Sequence, residues 1–411
     1  MKKLTLNSHD EAKKLLSPFF AQNFHVFPPF HPDLLLFCED FSKALFQLKE
    51  AKEYPDFVAL AFWLRKGNIL KLQETFQKKY RSDLLLVPRG LVFHIPPGNI
   101  DVMLVYSWIC SLLVGNGNII RIPGNRDPRF DKLLEVIFHL LSQAAHQPIN
   151  AITSFVQYGH EEAITAYIST HIDLRVIWGG NETVSTIKKI PTQPHAKDIA
   201  FPDRFSYSAI HAQTYLDATP QEQEQTINHF FNDTYWFDQS ACSSPRVLFW
   251  VGDSATIQKV SQSFYKALQE TIKKRHYEVT LGGALLKRTY MYDRALSLPV
   301  DKILQLSNEL GILYLEKPDE QCRVHCGQGL LYHIPLTTIE EIIPFVNQHD
   351  QTLTYYGFSK EALQQLILKL NGKGLNRIVP FGQALNFEPV WDGQDLFDEF
   401  TQHIKLHGAS P

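Results

Sequence analysis

The chain of 411 residues has few cysteines, little net charge and no long hydrophobic run, and each shortage excludes a class of protein. Its five cysteines are too few and too scattered for a disulfide framework, which favours a reducing compartment. The formal net charge of −3 gives no broad basic surface, so nucleic acid is not an expected partner. The longest apolar run, Val102 to Val114, is shorter than the roughly 20 residues that a bilayer crossing needs. Since the N-terminus also lacks an apolar signal segment, we expect a cytoplasmic protein without a membrane span.

The order of hydrophobic segments predicts an α/β protein. Short apolar strands alternate with amphipathic helices from residue 84 onward, and the same order returns after residue 221, which is typical of βαβ units on a parallel sheet. We expect four parts: a helical segment over 1–80, a first α/β domain over 81–235, a second over 236–380, and a C-terminal segment over 381–411. A return of that last segment to the first domain stays open.

The most informative stretch is the loop DQSACSSP, residues 238–245. Cys242 stands there between a predicted helix and a predicted strand, among small polar residues that neither fill a core nor crowd a substrate. A thiolate is a strong nucleophile and a good leaving group, so this position suits acyl transfer. The alternative is a small buried hydrophobic residue, the ordinary role of a lone cysteine. The loop by itself leaves both interpretations open.

Three further segments end predicted strands at turns. In HIPPGNID, residues 94–101, the amide of Asn99 is a candidate donor to a developing oxyanion, although Pro, Gly and Asn are also ordinary turn residues. Arg121 ends a short apolar strand, where a cation either meets a phosphate or remains an exposed charge. Gly179 and Gly180 precede a helix N-terminus, which is a place for a phosphate, yet the chain has no G-x-G-x-x-G fingerprint.

The residues Cys322, His325 and Cys326 look like a fragment of a metal site. A structural zinc ion needs four ligands, and no second cluster with suitable spacing accompanies these three. We therefore expect no metal.

Taken together in their order, the motifs resemble one family. The segments HIPPGNID, LLVGNGNIIRIP, VIWGG, FDQSACSSPRVLFWVG and RIVPFGQALNFEPVWDG are similar to the acyl-CoA reductases of the LuxC type, which belong to the aldehyde dehydrogenase superfamily. The similarity runs from about residue 55 to residue 400, and the Cys242 segment and the closing segment are the most specific. The resemblance implies an aldehyde-dehydrogenase-like fold, with a Rossmann-like nucleotide domain, a catalytic α/β domain and a cleft between them.

The resemblance also implies roles for single residues. Cys242 becomes the nucleophile that accepts the acyl group, and Asn99 an oxyanion donor beside the Cys242 backbone amide. Arg121 maps near the adenosine ribose, where the superfamily usually has Lys. Gly179 and Gly180 map near the pyrophosphate, which this superfamily binds without G-x-G-x-x-G.

Two departures from the superfamily pattern bear on the mechanism. Hydrolytic aldehyde dehydrogenases carry a Glu in an E-L-G-G motif before the cysteine, to activate water, whereas the L-G-G here, Leu281 to Gly283, follows Cys242 and is preceded by Thr280. An acyl-enzyme without that base survives to accept a hydride, which fits thioester reduction. The Glu that usually holds the nicotinamide ribose also has no clear counterpart, and Gln328 lies in roughly that region.

We therefore predict an enzyme that reduces a fatty acyl-CoA or acyl-enzyme thioester to the aldehyde through an acyl-Cys242 intermediate. The resemblance implies a nicotinamide cofactor, with NADPH favoured over NADH, an acyl-protein synthetase as partner, and a homo-oligomer. Two hypotheses from other classes stay open: a cysteine-dependent acyltransferase without a redox step, and a non-catalytic scaffold of an acyl-handling complex.

Overall fold

The structure, a computed structural model, describes residues 3–48, 54–80, 83–96, 101–124 and 128–407. It divides into two compact units, the first formed by Met1–Pro202 with Phe387–Pro411 and the second by Asp203–Asn386. The boundary predicted near residue 235 falls inside the second unit, because the strand Phe205–His211 already pairs with two strands of that unit. Of the predicted last segment, 381–411, the part from Phe387 onward belongs to the first unit, and residues 381–386 belong to the second.

Strands and helices alternate through both units, as the sequence pattern predicts. The described strands are β1 (Leu4–Thr5), β2 (Leu84–Pro88), β3 (Leu91–Ile95), β4 (Gly117–Ile122), β5 (Thr153–Gln157), β6 (Leu174–Trp178), β7 (Lys197–Phe201), β8 (Phe205–His211), β9 (Val247–Val251), β10 (Val300–Gln305), β11 (Gly311–Leu315), β12 (Leu330–Leu336), β13 (Asp350–Tyr356), β14 (Arg377–Pro380), β15 (Val390–Trp391), β16 (Gln394–Asp395) and β17 (Thr401–Lys405). The described helices are α1 (His9–Phe20), α2 (Pro32–Gln47), α3 (Pro55–Trp63), α4 (Lys66–Gln77), α5 (Asp101–Leu113), α6 (Pro128–Ser142), α7 (Gln147–Ala151), α8 (Glu162–Ser169), α9 (Asn181–Lys188), α10 (Ala212–Asp217), α11 (Pro220–Tyr235), α12 (Ser254–Lys274), α13 (Leu281–Ser297), α14 (Lys360–Leu370) and α15 (Leu396–Glu399). Across these described ranges, none of the helices combines the length and the apolar character that a membrane crossing requires.

The first unit is built on a parallel sheet with the order β1-β5-β4-β3-β6-β7. From β3 the chain proceeds to β4 and β5 on one side, and then returns to β6 and β7 on the other. The switch in strand order therefore lies between β3 and β6. In open α/β sheets, ligands bind at the carboxyl ends of the strands beside such a switch.

The second unit contains a sheet of seven strands in the order β10-β11-β12-β9-β8-β13-β14. All its neighbours run parallel except the antiparallel edge pair of β10 and β11. β9 is the middle strand, and every one of its residues is buried. Its alternate side chains enter two different cores, Phe249 on one face and Trp250 on the other. The loop that carries Cys242 leads directly into this central strand.

One predicted element differs from the structure. The sequence pattern predicts a helix over 338–348, whereas the chain there forms only a single turn of 3₁₀-helix, Ile339–Ile342. A capping box of Thr338 and Glu341 starts the turn. Pro344 follows two residues after it, and a proline has no N–H with which to continue a helix.

Candidate active site

Cys242 lies in the loop between α11 and β9, and its side chain is partly exposed. α11 begins with a capping box of Thr219 and Glu222. After the helix, Asp238 and Gln239 adopt left-handed backbone conformations, with φ of 51° and 59°. These two residues turn the chain back toward the sheet, because left-handed residues reverse its direction within a single turn.

Backbone contacts hold the segment around the cysteine. The Ser206 hydroxyl, on β8, donates to the Cys242 carbonyl at 2.6 Å and accepts from the Thr352 N–H, on β13, at 3.2 Å. The Ser244 N–H donates to the Ala241 carbonyl at 3.0 Å, which closes a tight turn over the cysteine. The loop is therefore fixed to two strands of the second sheet.

The other cysteines have environments that suppress thiolate formation. Burial raises the pKa of Cys38 and of Cys322 to about 12, and the pKa of Cys110 well above its usual value. Burial also raises the pKa of the partly exposed Cys326 to about 11. These four thiols remain protonated at neutral pH, which makes them poor nucleophiles. Cys242 therefore stays our candidate nucleophile.

A cation lies within electrostatic reach of Cys242. Burial lowers the pKa of Arg246, and the Coulomb attraction of Cys242 counteracts part of that decrease. Nη2 of Arg246 donates to the Gln239 carbonyl at 3.1 Å, so the guanidinium is held against the same loop. Because an arginine side chain keeps its proton in proteins, it presents a permanent positive charge here.

The histidine in this neighbourhood is not arranged as a base. Nδ1 of His325 accepts from the Gly327 N–H at 2.8 Å, so the proton of the neutral ring is on Nε2, which donates to the Leu330 carbonyl at 3.0 Å. Burial, aided by the charge of Arg246, lowers the pKa of His325 to about 3. Both ring nitrogens serve the turn between residues 325 and 330. Within the described ranges, no three His, Cys, Asp or Glu side chains form a group that could hold a metal ion.

Arg121 and the two glycines lie at the carboxyl edge of the first sheet. Gly180 is the N-cap residue of α9, so the first turn of that helix begins directly after β6. Arg121 lies on β4, its guanidinium 4.6 Å from the centre of the Tyr158 ring, and it donates from Nη2 to the Gly159 carbonyl. Its Nε is buried and has no hydrogen-bond partner among the residues that the structure describes. Asn99, the predicted oxyanion donor, lies outside the described residues.

A buried network of hydrogen-bonded side chains lies near this edge of the first sheet, and it was not predicted from the sequence. The indole N–H of Trp178 donates to the Ser107 hydroxyl at 3.3 Å, and that hydroxyl donates to Nδ1 of His94 at 2.8 Å. Nε2 of His94 then donates to Oδ1 of Asn118 at 2.9 Å, since the amide nitrogen of Asn118 is occupied by the Asn116 carbonyl. This network of hydrogen bonds links β3, β4, β6 and α5. The feature of the sequence that could have revealed it is the histidine inside the otherwise apolar segment LVFHI.

The buried histidine of that network is neutral. Burial lowers the pKa of His94 to about 4, and the bond to Asn118 opposes the decrease. A neutral ring both accepts and donates, which this chain of hydrogen bonds requires. The elements that meet at the switch between β3 and β6 are thereby fixed to one another.

Solved structures with the same fold are aldehyde dehydrogenases. The glyceraldehyde-3-phosphate dehydrogenase of Methanocaldococcus jannaschii, solved in complex with NADP, superposes with a TM-score of 0.65 at 13% identity, over 98% of this chain and 94% of that one. An NAD-dependent aldehyde dehydrogenase of Sinorhizobium meliloti gives a TM-score of 0.64 at 13% identity, over 98% and 88%. The protein therefore has the aldehyde dehydrogenase fold, and the predicted fold class is confirmed.

The family is defined by the sequence. The family model described as acyl-CoA reductase (LuxC) matches residues 66–403, and the chain belongs to this family. The long-chain acyl-protein thioester reductase of Aliivibrio fischeri is 25% identical over 300 residues, and that of Vibrio harveyi is 22% identical over 305 residues. Each match covers 72% of this chain but only 59% of the relative. The predicted resemblance is confirmed.

Proposed function

We propose that this protein reduces a long-chain acyl thioester to the aldehyde with a nicotinamide cofactor, through an acyl group carried on Cys242. In this proposal the first unit binds the nucleotide and the second carries the chemistry. The observation that supports it most is the position of Cys242, a partly exposed residue on a loop fixed to two strands of the second sheet, near a permanent cation. Such an environment favours the thiolate, which is the reacting form.

The chemistry begins at the sulfur. The Cys242 thiolate attacks the carbonyl carbon of the thioester, a tetrahedral oxyanion forms, and the thiol of coenzyme A or of a carrier protein leaves with the electron pair of its C–S bond. A nicotinamide cofactor, when bound, supplies a hydride to the acyl carbon. The tetrahedral alkoxide that this would leave on Cys242 collapses with cleavage of its C–S bond, which releases the aldehyde and returns the thiolate. Asn99 stays our predicted oxyanion donor for both tetrahedral species.

The carboxyl edge of the first sheet fits a dinucleotide. The α9 N-terminus behind Gly179 and Gly180 offers backbone N–H groups to the pyrophosphate. Arg121 is partly exposed and carries a permanent positive charge, so we assign it to a phosphate on the adenosine ribose, which favours NADPH over NADH. An acyl-protein synthetase and a second copy of the chain remain predicted partners.

The proposal is tested by mass spectrometry and by the absorbance of the reduced nicotinamide, with a panel of acyl-CoAs. We expect a single acyl adduct on the Cys242 peptide, followed by oxidation of NADPH. Cys242→Ala should lose both signals, whereas Cys326→Ala, which removes the other partly exposed thiol, should keep both. An adduct without cofactor oxidation would identify an acyltransferase instead, and the absence of any adduct would identify a scaffold.

A further inference from the structure

The loop that carries Cys242 contains a buried glutamine that the mechanism does not use. Gln239 is only 1% exposed, and its amide makes three hydrogen bonds. Oε1 accepts from the Gly329 N–H at 2.9 Å, while Nε2 donates to the Leu330 carbonyl at 2.9 Å and to the Pro245 carbonyl at 3.2 Å. We propose that Gln239 is a positioning residue, which holds the nucleophile loop on the turn before β12. This inference rests on the proposed role of Cys242.

The turn that receives Gln239 is itself held rigidly. Gly327, Gln328 and Gly329 have successive left-handed conformations, with φ of 70°, 62° and 76°. His325 closes the turn through the Gly327 N–H, as described above. The buried Lys287 donates from Nζ to the Gln328 carbonyl at 2.6 Å and to the Asn308 carbonyl at 2.6 Å. Side chains fix this turn because its backbone conformation permits no regular ladder of hydrogen bonds.

The turn and the nucleophile loop are also in close contact. A Cβ atom at position 327 would lie 2.7 Å from the Asp238 carbonyl oxygen of the nucleophile loop. On its other side the turn is as close to the segment before β11, since a Cβ atom at position 329 would lie 1.8 Å from the Glu309 carbonyl oxygen. Only glycine permits these approaches at positive φ. The loop therefore cannot shift against the turn without a change in both.

A single amide thus joins the two ends of the cysteine segment. Gln239 lies near the start of the segment and Pro245 ends it, and Nε2 of Gln239 donates both to the Pro245 carbonyl and to the Leu330 carbonyl on β12. Cys242 lies midway between them. A loop closed in this way presents its sulfur in one place before substrate arrives, and a displacement of about 1 Å in a reacting group costs about a hundredfold in rate.

The chemistry of the three partners requires an amide. A glutamate at this position accepts from the Gly329 N–H but cannot donate to two carbonyls. A leucine of similar size makes none of the three bonds. It removes the partner of the Gly329 N–H and the donor to the Pro245 carbonyl, and the Leu330 carbonyl keeps its bond from Nε2 of His325. An asparagine is shorter by one methylene group and cannot reach all three. We therefore expect Gln239→Glu and Gln239→Leu to have large effects and Gln239→Asn an intermediate one.

The experiment measures two rates on the full-length variants. The first is alkylation of Cys242 by iodoacetamide across a pH series, followed on the Cys242 peptide by mass spectrometry, and the second is single-turnover acylation by an acyl-CoA. We expect Gln239→Glu and Gln239→Leu to slow acylation by ten- to a hundredfold and lower kcat, with the KM for NADPH unchanged. The matched control is Gln269→Ala. Gln269 lies on α12 and donates from Nε2 to the Leu306 carbonyl at 2.7 Å, and its removal should leave both rates within twofold of the wild type.

Each outcome decides the proposal. If folded Gln239→Leu acylates at the wild-type rate with an unchanged alkylation profile, Gln239 is not a positioning residue. If the leucine variant does not fold, the test uses Gln239→Asn and Lys287→Met, the second of which loosens the turn from its other side. Both must slow single-turnover acylation. Wild-type acylation rates in both variants would overturn the inference. The alkylation assay needs no acyl substrate, so failure of the wild type to accept any acyl-CoA counts against the proposed function and leaves the positioning test intact.

Discussion

The cysteine loop of the second unit and the carboxyl edge of the sheet in the first unit hold their candidate residues by different means. Around Cys242, buried side chains grip the backbone, and Gln239 alone makes three hydrogen bonds to it. At the edge of the first sheet, the groups that we propose for the pyrophosphate are backbone N–H groups that follow Gly180. The side-chain hydrogen bonds of His94 join β3 to α5 and to β4. A reacting sulfur needs placement within a fraction of an ångström, whereas a phosphate accepts several N–H geometries.

The largest effect should come from the turn under the cysteine loop. Gly329→Ala places a Cβ atom 1.8 Å from the Glu309 carbonyl oxygen at a φ of 76°, so both contact and backbone are strained. We expect a loss of about 3 kcal/mol or more in the free energy of unfolding, measured with urea. Gly282→Ala is the matched control, since a Cβ there meets nothing within 4 Å inside α13, and it should stabilise by about 0.5–1 kcal/mol. If Gly329→Ala and Gly282→Ala unfolded at similar urea concentrations, the conclusion that the turn at Gly329 admits only glycine would be wrong.

A second prediction concerns the pH dependence that the buried His94 gives the first unit. Its pKa is lowered from 6.5 to about 4, so between these values the unfolded chain binds the proton and the native protein does not. The free energy of unfolding should therefore rise with pH across this window, by up to about 1.4 kcal/mol per pH unit, and be lost as the pH falls toward 4. His94→Gln should flatten this part of the profile, measured by urea unfolding at several pH values.

Asp233 makes an opposing contribution to the pH dependence of the free energy of unfolding, and comparing the wild type with His94→Gln removes it. Burial raises the pKa of Asp233 from 3.8 to about 7, so there the native protein holds the proton more tightly, and its contribution to the free energy of unfolding falls as the pH rises through that window. Because Asp233 is present in both proteins, it cancels in the difference. An identical slope for wild type and His94→Gln would show that His94 is not buried in its neutral form.

The two regions were not equally accessible to prediction from the sequence. The α/β order was accessible because the strands LRVIW and VLFWV are buried on both faces, so that VLFWV is a continuous apolar run and LRVIW is interrupted only by Arg175. Cys242 was singled out because small polar neighbours and a family motif surround it, and its role stays a prediction. Gln239 and His94 were missed as supporting residues, since their partners lie 90 and 24 residues away in the chain. Hydrogen bonds over such separations leave no periodic pattern.

The edge of the first sheet should respond mainly in cofactor affinity. Arg121→Ala removes the only side-chain cation that we assign to a ribose phosphate, so the KM for NADPH should rise about tenfold, with a small change for NADH and in kcat. Arg121→Lys keeps the charge and should recover part of the loss. Arg65→Ala, which removes an arginine stacked 4.0 Å over Phe62 in the same unit, is the control for a change in net charge. An equal rise in KM for NADPH and NADH would mean that Arg121 contacts the pyrophosphate, which both cofactors contain, and not the ribose phosphate of NADPH.

The smallest effect should separate charge from geometry in the cysteine loop. Arg246→Gln retains a group able to donate to the Gln239 carbonyl but removes the cation near Cys242. Since the loop keeps its amide brace, we expect kcat to change little at high pH, while alkylation of Cys242 near pH 7 slows about threefold, which corresponds to about 0.6 kcal/mol less stabilisation of the thiolate. Arg275→Gln, which removes an arginine lying 5.9 Å over Phe231, is the control. A loss that persists at every pH would mean that Arg246 acts through the position of the loop, as Gln239 does, and that the cysteine region is held by geometry alone.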